Sequence, residues 1–124
     1  MRPENPLHIE VETHFLPEHS DPQQSRYAFA YTLTLTNLSE TTLTLQRRHW
    51  LIIDGDGRQS EVEGEGVVGE TPVLPPGGRY RYTSSVIFPT PVGTMQGFYT
   101  LSGASGQVKA SIEPFTFRQP GAVH

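Results

Sequence analysis

The chain is expected to fold as an all-β protein, an antiparallel β-sandwich of about seven to eight short strands. Apolar and polar residues alternate through most of its length, the period of half-buried strands. Turn signals recur every ~8–12 residues, the spacing of sandwich strands. The 12 glycines and 11 prolines suit turns between short strands better than long helices. At 124 residues it makes a single domain, which buries roughly two-thirds of its unfolded surface in one core. That core is expected over residues 7–117, with flexible tails at 1–6 and 119–124.

The elements follow in order. From Leu7 to Phe15 the chain alternates, with Leu7, Ile9, Val11 and Phe15 inward and His8, Glu10, Glu12 and His14 outward. Pro17 to Gln24 reads as a loop. Arg26 to Asn37 is the clearest strand. Its Tyr27, Phe29, Tyr31, Leu33 and Leu35 form a core face, and its Ala28, Ala30, Thr32, Thr34 and Thr36 the opposite one. Residues 37–40 turn. Thr42 to Gln46 alternates again, and Arg47-Arg48-His49 leads through Trp50, a core anchor, into Leu51-Ile52-Ile53. Asp54-Gly55-Asp56-Gly57 is a hairpin turn signal, after which Gln59 to Glu63 returns as a short strand. Glu61 to Pro76 is a glycine-punctuated stretch that ends in a proline-rich turn. Arg79 to Phe88 is a strand with Tyr80, Tyr82, Ser84, Val86 and Phe88 on one face. After a turn at 89–93, Thr94 to Ser102 places Met95, Gly97, Tyr99 and Leu101 on one side. Residues 103–106 form a hairpin loop, and Gln107 to Phe117 is the last strand, with a break expected at Pro114.

Composition excludes several classes. The net charge of −4 argues against a general nucleic-acid binder, which would be basic. With no cysteine, disulfides and thiolate metal sites are excluded, leaving His, Asp and Glu as the strong side-chain ligands. No stretch approaches the ~20 apolar residues that span a bilayer, and no apolar signal segment follows the N-terminal residues. A cytoplasmic protein is expected.

Four motifs carry possible chemistry. Gly64, Gly66 and Gly69 stand at G-x-G-x-x-G spacing, but a dinucleotide site needs a helix to follow. Pro72, Pro75 and Pro76 forbid that helix. The stretch is read as a bulged or tightly approaching crossing between sheets, or as a loop whose amides cradle an anion; Glu63, Glu65 and Glu70 around it would repel a phosphate. Second, His8, Glu10, Glu12 and His14 share a strand face at steps of about 6.5–7 Å, so neighbours could meet one divalent metal; a solvated face explains the same letters. Third, Arg47, Arg48 and His49 could supply positive charge to a phosphorylated ligand at the glycines. The plainer expectation is that Arg48 pairs with a nearby glutamate and His49 is structural. Fourth, Asp54 and Asp56 look like a calcium-loop fragment, but the acidic position twelve would fall on Glu65 among short strands, so they are read as a turn. Nucleophilic catalysis has no candidate: Ser84 and Ser85 lie within a strand, and no G-x-S-x-G elbow occurs.

R-R-H-W-L-I-I-D-G-D-G (47–57), E-V-E-G-E-G-V-V-G-E-T-P-V-L-P-P-G (61–77), R-Y-T-S (81–84) and G-T-M-Q-G-F-Y (93–99) together resemble the bacterial ApaG family. The strand R-Y-A-F-A-Y-T-L-T-L-T-N (26–37) and the closing I-E-P-F-T-F (112–117) fit as well. The likeness spans about residues 7–117, with Gly78 standing where an acidic residue is common. It implies a fibronectin type III-like or immunoglobulin-like sandwich. It also implies a link to cobalt resistance and magnesium efflux, and gene neighbours encoding a diadenosine tetraphosphate hydrolase and a ribosomal RNA methyltransferase. Related domains end some eukaryotic F-box and polymerase-interacting proteins, where protein contact is the expected role. No catalytic activity is established for the family, so no catalytic residue carries over. Gly64, Gly66 and Gly69 match its glycine motif, for which a nucleotide or pyrophosphate role has been suggested. The leading expectation is therefore a non-enzymatic protein-interaction module without a cofactor, its edge strands leaving a homodimer open. The alternatives are a binder of a phosphorylated small molecule at Gly64–Gly69 and a direct divalent-metal binder.

Overall fold

The computed structural model describes residues 5–122. Eight strands follow one another: β1 (Leu7–Phe15), β2 (Tyr27–Asn37), β3 (Leu43–Asp54), β4 (Gln59–Glu65), β5 (Val73–Leu74), β6 (Arg79–Phe88), β7 (Val92–Gly103) and β8 (Gly106–Arg118). They form two antiparallel sheets, a three-stranded one in the order β1-β2-β6 and a five-stranded one in the order β4-β3-β7-β8, with β5 also paired to β3. This is the antiparallel sandwich that the alternation predicts, of the fibronectin type III-like, immunoglobulin-like kind that the family resemblance implies. The connection expected as a plain loop carries two single 3-10 turns, Pro17–His19 and Pro22–Gln24. Among the described residues no helix is long and apolar enough to cross a membrane.

The core lies between the inner faces. Phe29, Phe88 and Phe117 meet with ring centroids 5.3–5.9 Å apart. Trp50 packs edge-on against Tyr31 and Phe115, each at 5.8 Å. The predicted inward residues of β1, β2, β6 and β7 all belong to this core or pack on it, except the small Gly97 and Ser84.

Two local readings change, and β3 gains a bulge. Residues 43–46 and 50–53 both lie in β3. Leu45 and Trp50 are both buried although an odd number of positions separates them, which strict alternation forbids. A bulge at Gln46, between the pairs Leu45↔Leu101 and Arg47↔Thr100, resets the phase. Pro114 does not break β8. Residues 113 and 114 together stand opposite Gln96, between the pairs Gly97↔Ile112 and Met95↔Phe115, so the proline sits in a bulge on an edge strand, where a missing N–H is tolerated. The glycine stretch does not cross between sheets: β4 extends to Glu65, turns, and returns as β5 on the same strand β3.

The crossing lies later, at Pro75–Gly78, and is docked on the end of β2: the Gly77 amide donates to Asn37 O and the Asn37 amide to Gly78 O, both at 2.9 Å. Asn37, expected only to open a turn, is buried. Its Nδ2 donates to Thr41 O and Leu74 O, and its Oδ1 accepts from the Ser39 amide and hydroxyl. Both donors and both acceptor positions of its side-chain amide are thus used, as burial of a polar group requires. The described parts of the expected tails are tied down too. Leu38 N donates to Pro6 O, Gln119 N to Pro91 O, and Asn5 Nδ2 to Ser111 O. Residues 1–4 and 123–124 lie outside the described chain.

Candidate functional site at the β4 edge

No residue of β4 is buried, so hydrophobic burial alone does not hold it. Two neighbours on β3 grip it from opposite faces. Because of the Gln46 bulge, Arg48 shares the inward phase of Trp50, while Arg47 and His49 point outward. Arg48 Nη1 donates to the carbonyls of Glu65 at 3.0 Å and Gly66 at 2.9 Å. A Cβ on Gly64 would stand 2.8 Å from the guanidinium nitrogens, so glycine there is what lets the fork lie flat on the strand. Behind Arg48, the Tyr82 and Tyr99 hydroxyls bond each other. Burial pushes both phenols well above their ordinary value; the Arg48 charge pulls the other way and loses. Both hydroxyls are therefore neutral. Arg48 was expected to pair with a glutamate; it bonds main-chain oxygens instead.

His49 takes the glutamates. Its Nδ1 lies 2.9 Å from Glu63 Oε1 and its Nε2 3.1 Å from Glu61 Oε1. A ring with a carboxylate on each nitrogen satisfies both only when both nitrogens donate, which is the imidazolium form. The Glu63 hydrogen bond raises the His49 pKa, partial burial opposes it, and Glu61 adds to the rise. The same contact holds the Glu63 carboxyl below its ordinary value. The imidazole stacks on Phe98 of β7 at 4.8 Å and 11°, and Lys109 of β8 places its Nζ 4.6 Å from the same ring. A charged row thus crosses the outer face of four strands. Phe98 and Lys109 escaped the sequence reading, although an aromatic on the outward phase of β7 was a signal for the row. Arg47 is exposed and stands opposite Glu65, without an ion pair among the described residues.

The glycine turn is equally specific. Gly66 N donates to Gln46 O at 2.6 Å, tying the turn to the bulge, and Val67 and Glu70 exchange both backbone bonds. Gly66 has φ +60°, and a Cβ there would collide with the Glu70 carbonyl oxygen. Val68 (φ 42°) and Gly69 (φ 81°) fill the two central positions of a type I′-like hairpin turn. Positive φ is strained for a β-branched residue, and Val68 is 53% exposed. The Tyr80 hydroxyl donates to Glu70 Oε2 at 2.8 Å.

Gly64, Gly66, Gly69, Arg48 and His49 therefore assemble at one sheet edge, but most of their polar groups are committed to the protein. His8, Glu10, Glu12 and His14 lie elsewhere, on the outer face of β1. There His8 bonds Glu10 at 3.2 Å and Glu12 pairs with Arg81 at 3.3 Å. Among the described residues no three His, Asp or Glu side chains converge as metal ligands. What this face offers is the adjacent pair His8 and Glu10.

A family model described as the ApaG domain matches residues 17–103. The chain is 47% identical over 119 residues to Protein ApaG of Pseudomonas paraeruginosa (strain DSM 24068 / PA7) and 44% identical over 119 residues to Protein ApaG of Shewanella sp. (strain MR-4). Each alignment covers 95% of this chain and 94% of the relative. An X-ray structure of a structural-genomics target superposes with TM-score 0.89 at 43% identity, over 96% of this chain and 91% of the other. These names state no enzymatic activity. By this family model and these relatives, the chain belongs to the ApaG family.

Proposed function

We propose that this protein is a non-enzymatic interaction module of the cytoplasm, engaged along the rim where β4 and β6 leave the sandwich open. The carrying observation is that rim itself. Two edge strands face outward there with Val62 42% and Ile87 50% exposed, and exposed sheet edges are templates for strand addition. The clamp by Arg48 and His49 presents β4 as a fixed edge. Cobalt-resistance and magnesium-efflux traits would then arise through a partner. Affinity capture with the wild-type protein and with a Val62→Lys/Ile87→Lys variant tests the reading. Partners recovered by the wild type and lost by the variant are expected; equal recovery would overturn it.

A second reading, a phosphorylated small molecule at Gly64–Gly69, is favoured by one observation. The amides of Val68 and Gly69 donate to no protein group among the described hydrogen bonds, and the strained Val68 holds them at the tip. Pyrophosphate titration followed by amide NMR tests it. Shifts at Val68 and Gly69 are expected if the turn binds an anion, and an unmoved spectrum at millimolar pyrophosphate rejects it.

A further inference from the structure

Strand β6 is an unpaired edge of the three-stranded sheet, and its two halves differ. Toward its start, Tyr80 is tied to Glu70 of the glycine turn and Arg81 to Glu12. The half from Thr83 to Phe88 is open. Here Ile87, half exposed, stands where two clefts meet. The larger, about 370 Å³, is lined by Leu16, His19, Arg26, Ala28, Ser85 and Ile87. Its wall is the β1–β2 connection, pinned by Ser20, whose hydroxyl donates to Leu16 O and accepts from the Ala28 amide. The smaller, about 120 Å³, runs between β6 and the β3–β4 hairpin and reaches Arg58.

The charge around Ile87 opposes that of the whole chain, which carries −4. Arg26 and Arg58 flank it on two sides, and neither forms an ion pair among the described residues. The acid lining the smaller cleft, Asp54, already accepts from the Asp56 and Arg58 amides through Oδ1. Asp21 faces Arg26 in a backbone bridge but does not line the larger cleft.

We propose that residues 83–88 of β6 dock an extended acidic segment of a partner protein as a fourth strand of this sheet, with an apolar side chain beside Ile87 and carboxylates toward Arg26 and Arg58. Main-chain bonds to the free edge supply affinity, and the clefts on either side of Ile87 select alternate side chains. Two copies of this chain paired through the same edge would set positive rim against positive rim, which disfavours a homodimer here. The inference rests on the interaction-module reading.

Selection of a random linear peptide library on the full-length protein, followed by titration of the selected peptide into isotope-labelled protein, tests it. Selected peptides should carry Asp or Glu around a Val, Ile or aromatic residue and should shift amides at Leu16, Arg26 and 83–88. Affinity should fall at least about tenfold in Ile87→Lys and in an Arg26→Glu/Arg58→Glu variant, as for a central anchor and its charged ring. It should not change in Val108→Lys on β8. Peptides without acids, or peptides that shift the β1–β8 side instead, overturn this inference and leave the module reading standing. A library without binders overturns both. A concentration-dependent dimer abolished by Ile87→Lys would make a second copy the occupant and overturn the partner strand.

Discussion

At one rim of the sandwich, β1 and β8 run side by side. Leu7, Ile9, Val11, Ile112 and Phe115 line a cleft of about 350 Å³ between them, and side chains stitch across it: Asn5 to Ser111 O at 2.8 Å and Thr13 to Thr116 O at 3.5 Å. At the other rim, β4 and β6 stay apart, joined near one end by Tyr80 and Glu70. The first rim is held by apolar burial from both strands. The second has a strand, β4, with no buried residue at all, and polar clamps from its neighbour hold it. β4 is held by clamps, while β6 beside it is anchored by the buried Tyr82 and Phe88, and both keep an outer edge free.

Substitutions can break or sharpen this contrast. The largest effect is expected from Trp50→Ala, which removes the aromatic centre packed between Tyr31 and Phe115. It should lower unfolding free energy by about 3–5 kcal/mol in urea titrations and weaken both rims together. Arg48→Ala comes next, at about 1.5–3 kcal/mol for hydrogen bonds from a charged donor. Its signature is local: hydrogen exchange should quicken across 59–66 while β1 and β8 keep their protection. Uniform loss of protection would mean that Arg48 is not specific to the open rim.

His49 gives a smaller, pH-dependent effect. Its folded pKa is raised above the ordinary 6.5 by Glu63 and Glu61, so its contribution is fully present below about pH 6.5. It is lost as pH rises through the folded value. Wild-type stability should therefore fall over that interval, and the His49→Gln variant should lack this component; identical pH profiles would remove the outer clamp from the account. The smallest effect on stability is expected from Ile87→Lys, within about 0.5 kcal/mol for an exposed site. A larger loss in thermal denaturation would show that the open rim is structural after all.

Much of the fold was legible in the chain. The faces of β1, β2, β6 and β7 follow from period-two alternation, which each strand carries within itself. The Gln46 bulge was half legible, since Leu45 and Trp50 cannot both be inward without one. The hub at Asn37 was not, because its partners Thr41 and Leu74 come together only when β5 returns to β3. At the site, the letters R-R-H and the glycines were visible as a group, but not which arginine turns inward. Nor could Glu61 and Glu63 be matched to His49, because that pairing depends on the β3–β4 register.

The amino-acid sequence by itself determined the all-β class, the strand faces, the turns and the family. These rest on local physics: alternation, the φ freedom of glycine and the missing amide of proline. Only the tertiary structure decided that the glycine stretch stays on one sheet edge, that Arg48 bonds carbonyls while His49 binds two carboxylates, and that β1 and β8 are stitched together at one rim while β4 and β6 stay apart at the other. Those outcomes depend on which distant strand lies alongside, and a one-residue shift in register sends every side chain to the other face.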